Sequence, residues 1–293
     1  MIEEAWADLH LHSNCSDGLL SPSRLIAKAH EVGLAAVSLV DHDAFSGVEE
    51  AVKAGRKHGV EVIPGVELSS QTRGRDIHIL GYYFDMRNRR LMDYLQLFRD
   101  ERRRRAERIV QKLDEMGVHI EIADVEAKAR GCSVGRPHIA EVLMDRGFVE
   151  TFQEAFHRFI GYGAEAYVDK YKISPQEAVG LISDAGGLSF LAHPGPMISN
   201  EIITDLIKAG LDGIEVVHPN LNAKRTQTLQ DLVRDNGLLM SGGSDCHGGR
   251  DGKFLIGKYN VPYSICQDMR DAIRARRGRA PAFIKKENGF DLL

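Results

Sequence analysis

The alternation Asp8-Leu9-His10-Leu11-His12, near the start of the chain, constrains the fold more than any other feature of the sequence. Successive side chains of a β-strand point to opposite faces, so the aspartate and the two histidines would share one face of a first strand. Asp17 follows in the loop that would leave this strand. Imidazole and carboxylate groups side by side favour a metal-binding strand, provided that other strands supply further ligands.

Further apolar segments, rich in β-branched residues, alternate with helix-like segments along most of the chain. The predicted strands span residues 5–10, 35–40, 61–68, 76–84, 187–194, 212–218 and 237–242. Two helices begin with a capping serine followed by a proline, at Ser21-Pro22 and Ser174-Pro175. Asp43 is predicted to cap a helix that starts near Phe45. This alternation predicts a parallel sheet, and seven repeats predict a closed or nearly closed barrel.

The segment 86–169 interrupts the alternation of strands and helices. It starts with a long charged helix, continues with shorter helical pieces and contains no convincing strand. We therefore predict two parts: a barrel formed by residues 1–85 and 170–293, and a helical insertion at 86–169 that covers the mouth of the barrel.

The composition excludes several classes of protein. Hydrophobic residues make up 43% and charged residues 27% of the 293 residues, as in an ordinary globular protein. We expect no membrane span, since no stretch of about 18 apolar residues occurs, and a cytoplasmic location, since the acidic N-terminal segment does not resemble a signal peptide. The four cysteines form no C-x-x-C pattern. A net charge of −4 argues against non-specific nucleic-acid binding over the whole surface but allows a local basic funnel.

Histidines and acidic residues are concentrated at or near the predicted strands. Seven of the twelve histidines lie there, namely His10, His12, His42, His78, His193, His218 and His247. Since the carboxyl ends of parallel barrel strands meet at one face, most of these groups would reach the same mouth. Such ligands suit Zn²⁺, Mn²⁺ or Fe²⁺, and their number predicts two or three ions with Glu67 bridging a pair. A pocket with that much positive charge would bind a phosphate.

The motifs that carry these groups resemble those of the PHP family (polymerase and histidinol phosphatase). They are His10-x-His12 with Ser16-Asp17-Gly18, Val40-Asp41-His42-Asp43, Gly65-Val66-Glu67, His78, Ala192-His193-Pro194 and Gly243-Ser244-Asp245-x-His247. The resemblance implies a distorted (β/α)7 barrel that holds a trinuclear cluster of manganese, iron or zinc, with manganese preferred. It also implies the ligand sets, which are His10, His12, Glu67 and Asp245 for one ion, Glu67, His78 and His193 for the second, and Asp17, His42 and His247 for the third.

Within this family, the start of the chain and the insertion are most similar to the stand-alone members that act on nucleotides. These are the nucleoside 3′,5′-bisphosphate phosphatases and RNase AM, a 5′-to-3′ exonuclease of short RNA. Gly135-Arg136-Pro137-His138 resembles the segment with which that subgroup holds phosphate, which implies substrate contacts for Arg136 and His138. One or two arginines of the run 102–105, with Arg102 and Arg103 as the candidates, could line a funnel for phosphates, although a solvated helix face is the simpler interpretation of that run.

The resemblance predicts a hydrolase that removes the 3′-phosphate from nucleoside 3′,5′-bisphosphates, or trims short 5′-phosphorylated RNA, by attack of a metal-bound hydroxide. The proton for the leaving oxygen would come from His218, His247 or a metal-bound water, and the residues leave this choice open. Histidinol-phosphate phosphatase is the nearest alternative activity. A non-catalytic metal-binding PHP module and an amidohydrolase-type deaminase or esterase are further alternatives. No stable protein partner is implied.

Overall fold

The computed structural model describes residues 5–129, 132–249 and 254–279. Eight strands form one sheet in the order β7-β6-β5-β4-β3-β2-β1-β8. The strands are β1 (Trp6–Leu11), β2 (Ala36–Leu39), β3 (Glu61–Thr72), β4 (Arg75–Tyr82), β5 (Leu188–Leu191), β6 (Gly213–Val217), β7 (Leu239–Gly242) and β8 (Val261–Pro262). A parallel bridge between Leu11 and Cys246, with a 3.1 Å hydrogen bond from the His12 amide to the Cys246 carbonyl, brings the end of β7 back to β1. The sheet is therefore a nearly closed barrel, and all seven predicted strands are present.

Of the seven predicted strands, β4 runs against the predicted parallel direction, and the additional short strand β8 also pairs antiparallel, with β1. β4 pairs antiparallel with both β3 and β5, whereas β1, β2, β3, β5, β6 and β7 share one direction. Only Arg73 and Gly74 separate β3 from β4, and both have positive φ (48° and 73°). Two such residues make a tight hairpin turn, which is far too short for the crossover that a parallel neighbour needs. As a consequence, the start of β4 lies at the same end of the barrel as the carboxyl ends of its neighbours.

Helices cover the outside of the barrel and fill the segment between β4 and β5. They are α1 (Pro22–Glu31), α2 (Val48–His58), α3 (Arg89–Glu115), α4 (Ile122–Ala129), α5 (Arg136–Asp145), α6 (Phe152–Ala155), α7 (Pro175–Asp184), α8 (Asn200–Lys208), α9 (Ala223–Asn236) and α10 (Ser264–Arg279). A π-helical turn (Phe156–Ile160) follows α6. Ser21 and Ser174 cap α1 and α7 as predicted, by accepting hydrogen bonds from the amides of Arg24 and Glu177. Within the described ranges, no helix is both long enough and apolar enough to cross a membrane.

Between β4 and β5 the described residues form helices and no strand, and α3 connects two hydrophobic cores. The first half of α3 packs Leu91 and Phe98 against the barrel core, which includes Ile79 of β4. The second half packs Ile109 and Leu113 into a separate core formed with α4, α5 and the π-helical turn. A long helix shared by two cores holds the helical segment against the barrel, and the exact division of the chain into two domains stays a prediction.

Candidate metal centre

The polar face of β1 is fully buried, and its three side chains have different partners. Asp8 accepts a hydrogen bond of 2.9 Å from the amide of Ser244, in the segment that follows β7. This contact depends on Gly243, where a Cβ atom would lie 2.4 Å from the backbone nitrogen of His10. Burial raises the pKa of Asp8 to about 6 in spite of its hydrogen bonds from Ser244 and His10. Asp8 therefore fixes the segment that carries Asp245, while His10 and His12 point towards the mouth of the barrel.

Glu67, on β3, lies at the centre of the site with its side chain 1% exposed. Imidazole nitrogens surround its carboxylate: His78 Nδ1 at 2.9 Å, His42 Nδ1 and His193 Nε2 at 3.0 Å, and His12 Nε2 at 3.2 Å. Burial alone would raise the pKa of Glu67, but the neighbouring imidazoles of His42, His78 and His10 hold this pKa well below its usual range. Glu67 is thus an ionised carboxylate shared by groups from several strands.

Two further carboxylates extend the cluster on either side of His12. Asp245 Oδ1 lies 3.1 Å from His12 Nε2 and 3.4 Å from His10 Nε2. Asp17 lies 3.3 Å from His247 Nε2 and 3.9 Å from both His12 and His42. Burial would raise the pKa of both aspartates, and the adjacent histidines instead hold both pKa values well below the usual range. All nine predicted ligand residues therefore converge on one opening of the barrel.

The spacing of these atoms fits ligands that share cations. Two atoms bound about 2.0–2.2 Å from one ion, at tetrahedral or octahedral angles, lie roughly 3.0–3.5 Å apart, which is the range found around Glu67 and Asp245. Four buried ligand atoms make no hydrogen bond of good geometry among the described residues: His12 Nδ1, His42 Nδ1, His78 Nδ1 and Glu67 Oε2. Buried polar atoms rarely lack such a bond without cause, so this donor set fits divalent ions.

Hydrogen bonds to the second ring nitrogen distinguish the histidines from one another. His10 Nδ1 lies 2.8 Å from a carboxylate oxygen and His247 Nδ1 lies 2.9 Å from a backbone carbonyl, so Nδ1 carries the proton in both rings and Nε2 offers its lone pair to the cluster. His218 is the opposite case, because its Nδ1 accepts a 3.1 Å hydrogen bond from the Asn220 amide. The neutral His218 ring therefore carries its proton on Nε2, which is 3.3 Å from Asp245.

The carboxylate that orients His10 is Glu215, a residue that the sequence analysis missed. Glu215 lies on β6, is fully buried, and also accepts a 2.6 Å hydrogen bond from the His193 amide. Burial would raise its pKa, but the nearby His10, His218 and His193 lower it on balance. The only sequence signal was one acid inside an otherwise apolar strand segment, Gly-Ile-Glu-Val-Val. Such an acid needs a buried partner, and here that partner is an imidazole from the first strand.

Two of the nine predicted ligand residues have backbone conformations that L-amino acids rarely adopt. His193 (φ 31°) comes shortly after the end of β5, and Asp245 (φ 50°) comes shortly after the end of β7. Each left-handed residue costs of order 1–3 kcal/mol, which the surrounding contacts must offset. The positive φ turns each side chain from its strand into the mouth of the barrel, so the cluster depends on local backbone strain as well as on strand register.

The close groups of ligands differ in part from the sets that the sequence analysis gave. The metal-competent atoms fall into four groups, and within each group they lie no more than 4.8 Å apart. The groups are His12/Asp17/His42/His247, His10/His12/Glu67, His10/His218/Asp245 and His42/Glu67/His78. His12 thus belongs to two groups. His42 also belongs to two, one that contains Asp17 and one that contains Glu67. His193 approaches the same Glu67 oxygen as His78. How these residues divide among individual ions stays a prediction.

Asp43 does not cap a helix, which corrects the sequence analysis. Helix α2 begins at Val48 with Gly47 as its N-cap, four residues after Asp43. The Asp43 carboxylate instead accepts hydrogen bonds of 2.8 Å from both the amide and the hydroxyl of Ser69, and it pairs with Arg102 at 2.5 Å. Asp43 therefore connects the strand of Glu67 to helix α3.

The helical segment contributes a cluster of guanidinium groups beside the metal-competent residues. A cavity is lined by Asp17 and His42 from the barrel and by Arg102, Gly135 and His138 from the helices. The buried His138 ring accepts a hydrogen bond from the Gly135 amide at Nδ1, which leaves the proton of the neutral ring on Nε2. Arg102 thus lies at the border between the barrel and the helical segment.

A second cavity joins Arg102 to Arg105 and Arg136. The Arg136 guanidinium lies between the rings of Phe156 and Tyr167, at 5.3 and 5.7 Å from their centroids. Among the described residues, no carboxylate forms an ion pair with Arg105 or Arg136. Burial, together with the neighbouring Arg136 and Arg102, lowers the pKa of Arg105 to about 10.

Arg103 does not face this pocket, contrary to its proposed part in a phosphate funnel. Its side chain is 56% exposed and pairs with Glu126 at 2.6 Å and Glu107 at 3.3 Å. Consecutive helical residues point about 100° apart, so a helix that directs Arg102 and Arg105 into the cavities must direct Arg103 to solvent. Arg105 therefore occupies the position that the sequence analysis gave to Arg103.

This chain is similar to known proteins in both sequence and fold. The family model of the PHP domain matches residues 8–104. The chain is 35% identical to a 5′-3′ exoribonuclease of Haemophilus influenzae over 82% of this chain and 89% of that protein. It is 31% identical to a 3′,5′-nucleoside bisphosphate phosphatase of Chromobacterium violaceum over 92% of this chain and 96% of that protein. A solved Bifidobacterium adolescentis structure, assigned to the metal-dependent phosphoesterases, superposes with a TM-score of 0.85 at 29% identity, covering 90% of this chain and 94% of that one.

Proposed function

Because this chain belongs to the PHP family, we propose that it is a metal-dependent phosphohydrolase that removes the 3′-phosphate from nucleoside 3′,5′-bisphosphates. The observation that carries the proposal is the buried Glu67 carboxylate, which has imidazoles from four segments within 3.2 Å. One of these imidazoles, His42, also lines the cavity that Arg102 and His138 border. Carboxylate and imidazole ligands next to guanidinium groups suit a phosphate ester. A cytoplasmic location is part of this proposal.

We assign the nine converging residues as ligands of two or three divalent ions, with manganese as the preferred metal and iron or zinc as alternatives. These residues are His10, His12, Asp17, His42, Glu67, His78, His193, Asp245 and His247. Bound ions of this kind lower the pKa of water and neutralise charge on phosphate oxygens. The chain's own part is to hold the ligands in place through Glu215 and Asp8, and to close one side of the site with α3 and α5.

His218 is the proposed hydrogen-bond donor to the leaving oxygen. The Asn220 amide occupies its Nδ1 lone pair, so ligation through Nε2 would leave both ring nitrogens without a proton. Its Nε2 proton points towards Asp245 at the edge of the cluster. His247, by contrast, has its Nδ1 proton bound to a carbonyl and its Nε2 beside Asp17, an arrangement that suits a ligand. We therefore favour His218 over His247 as the side chain that donates a hydrogen bond to the leaving oxygen.

Arg136 and His138 are the proposed contacts of the phosphate that is not cleaved. The Arg136 guanidinium is held by two rings and by a 3.2 Å hydrogen bond to the Ile160 carbonyl, so it keeps its position before a substrate arrives. A preorganised guanidinium that no carboxylate of the described residues neutralises favours an anion. The same contacts would accept the 5′-phosphate of a short RNA, so trimming of RNA from its 5′ end is the second proposed activity.

The test is an assay of inorganic phosphate released with manganese present, from adenosine 3′,5′-bisphosphate and from histidinol phosphate. We expect rapid release from the bisphosphate, slow release from histidinol phosphate, and loss of both after treatment with a chelator. Equal or faster turnover of histidinol phosphate would support the alternative activity. Absence of turnover on every phosphate ester would favour a non-catalytic module.

Replacing Arg136 with alanine is expected to lower kcat/KM for adenosine 3′,5′-bisphosphate by roughly 10–100-fold, because a charged hydrogen-bond donor to the phosphate is lost. Arg103→Ala is the matched control, since Arg103 lies on the solvent side of α3 and its ion pairs within the described region are with Glu107 and Glu126. The control should stay within about twofold of the wild type. Similar losses in both variants, measured by steady-state kinetics, would contradict the assignment of Arg136.

A further inference from the structure

An exposed aromatic ring, that of Tyr162, follows the π-helical turn. Tyr162 lies between Gly161 and Gly163 and is 90% exposed. Its ring contacts the ring of Tyr167 edge to face, with 5.5 Å between centroids and 70° between planes. Tyr162 is therefore a solvated apolar surface that a second aromatic ring holds in position.

Tyr167 connects this exposed ring to the guanidinium groups. Arg136 lies 5.7 Å and Arg105 5.9 Å from the centre of the Tyr167 ring. The backbone is anchored as well, because the Lys112 ammonium donates 3.1 Å hydrogen bonds to the carbonyls of Glu165 and Tyr167. The contacts thus run from the metal-competent cavity through the arginines to Tyr167 and then outwards to Tyr162.

The charges around the tyrosine pair favour an anionic ligand. Arg105 and Arg136 form no ion pair with a carboxylate of the described residues, whereas the nearby Asp169 accepts hydrogen bonds of 3.1 Å from both the Tyr167 hydroxyl and Lys172. This acid is therefore already paired with a cation, and the two arginines retain excess positive charge. Aromatic rings beside guanidinium groups are the combination that binds single-stranded nucleic acid, since rings stack on bases and cations hold phosphates.

We propose that Tyr162 and Tyr167 form a stacking site for a base of single-stranded RNA whose phosphates the arginines hold, outside the nucleotide that is cleaved. This inference rests on the proposed phosphohydrolase function and extends it to substrates longer than one nucleotide. Arg136 contacts the Tyr167 ring and Tyr167 contacts Tyr162, so a strand whose phosphates reach the arginines passes within reach of the exposed ring. A nucleoside bisphosphate has a single base and does not require this contact.

The experiment compares two substrates in the metal-loaded full-length enzyme: adenosine 3′,5′-bisphosphate and a 5′-phosphorylated tetraribonucleotide. Tyr162→Ala is expected to raise KM for the tetranucleotide by roughly 5–100-fold, the range for loss of one stacked base, and to leave both kinetic constants for the bisphosphate unchanged. Tyr162→Trp should keep tetranucleotide KM near the wild-type value. Met197→Ala, which removes another exposed apolar side chain (68% exposed), is the control and should change neither substrate.

A binding measurement separates this inference from the proposed function. Fluorescence anisotropy with a phosphorothioate tetranucleotide, which resists cleavage, gives Kd whether or not the enzyme hydrolyses RNA. Weaker binding by Tyr162→Ala but not by Tyr162→Trp supports the stacking site even if bisphosphate turnover is absent. Equal Kd for the wild type and Tyr162→Ala, or equal losses in the alanine and tryptophan variants, would overturn it. If this surface bound a protein partner and no RNA, Kd for the tetranucleotide would be equal in the wild type and Tyr162→Ala.

Discussion

Glu67→Gln is expected to lower kcat/KM for phosphate release by roughly 10³-fold or more, the largest effect of any single substitution in the site. The carboxylate is shared by His12, His42, His78 and His193 within 3.2 Å, and an amide would remove the charge that these groups and the proposed ions have in common. Loss of one preorganised electrostatic contact costs about 10²–10³-fold, and loss of bound metal adds to that cost. Steady-state kinetics and metal analysis of the purified variant measure both effects.

Glu61→Gln is the matched control for this prediction. Glu61 is the first residue of the same strand, β3, and its carboxylate pairs with Arg270 at 2.6 Å and accepts a hydrogen bond from Tyr263, away from the cluster. Glu61→Gln is expected to change the thermal stability of the protein. Its metal content and kcat should stay close to those of the wild type. Full metal occupancy and normal turnover in Glu67→Gln would contradict its central place in the site.

Glu215→Gln is expected to weaken metal binding by roughly 10–100-fold, although Glu215 has no assigned contact with a metal. Partners that orient a ligating histidine have effects of this size. The Glu215 carboxylate accepts hydrogen bonds from the His10 ring and from the His193 amide, at 2.8 and 2.6 Å, so it orients one ligand and fixes the backbone of another. Because the defect lies in affinity, activity should return at high manganese concentration. Titration of activity against free metal gives the apparent Kd.

Asp212→Asn provides the comparison for Glu215→Gln. Asp212 immediately precedes the same strand, β6, and accepts a 2.9 Å hydrogen bond from the Ser189 amide at the opposite end of the barrel. This variant should keep the wild-type metal dependence even if it unfolds at a lower temperature. A loss of activity in Glu215→Gln that saturating metal does not restore would argue against a positioning role and for a direct part in the chemistry.

The sequence predicted the strands and the residues that meet at the mouth of the barrel because both follow from short-range patterns. Alternation along β1 placed His10 and His12 on one face, and the histidines and acids at other strand ends followed from barrel geometry. The reversed direction of β4 was also encoded locally, in the two-residue turn at Arg73-Gly74, but the expectation of a parallel sheet outweighed it.

Other features depend on contacts between distant parts of the chain, and no local pattern gives them. Glu215 is recognisable as a partner of His10 only when closure of the barrel places β6 and β1 on either side of β7. The left-handed backbone at His193 and Asp245 is set by the contacts of those residues rather than by their type. The choice between Arg103 and Arg105 required the rotation of α3 about its axis, which the charged run 102–105 does not fix.

The most direct test of the central claim is X-ray diffraction from crystals grown with manganese, with anomalous differences measured above and below the manganese absorption edge. The proposed metal centre predicts anomalous peaks within about 2.0–2.6 Å of the carboxylate oxygens of Glu67, Asp245 and Asp17 and of the imidazole nitrogens beside them. It also predicts that Glu67→Gln loses at least the peak beside His78. Crystals of active enzyme without a peak at these residues, or with manganese bound elsewhere on the chain, would contradict it.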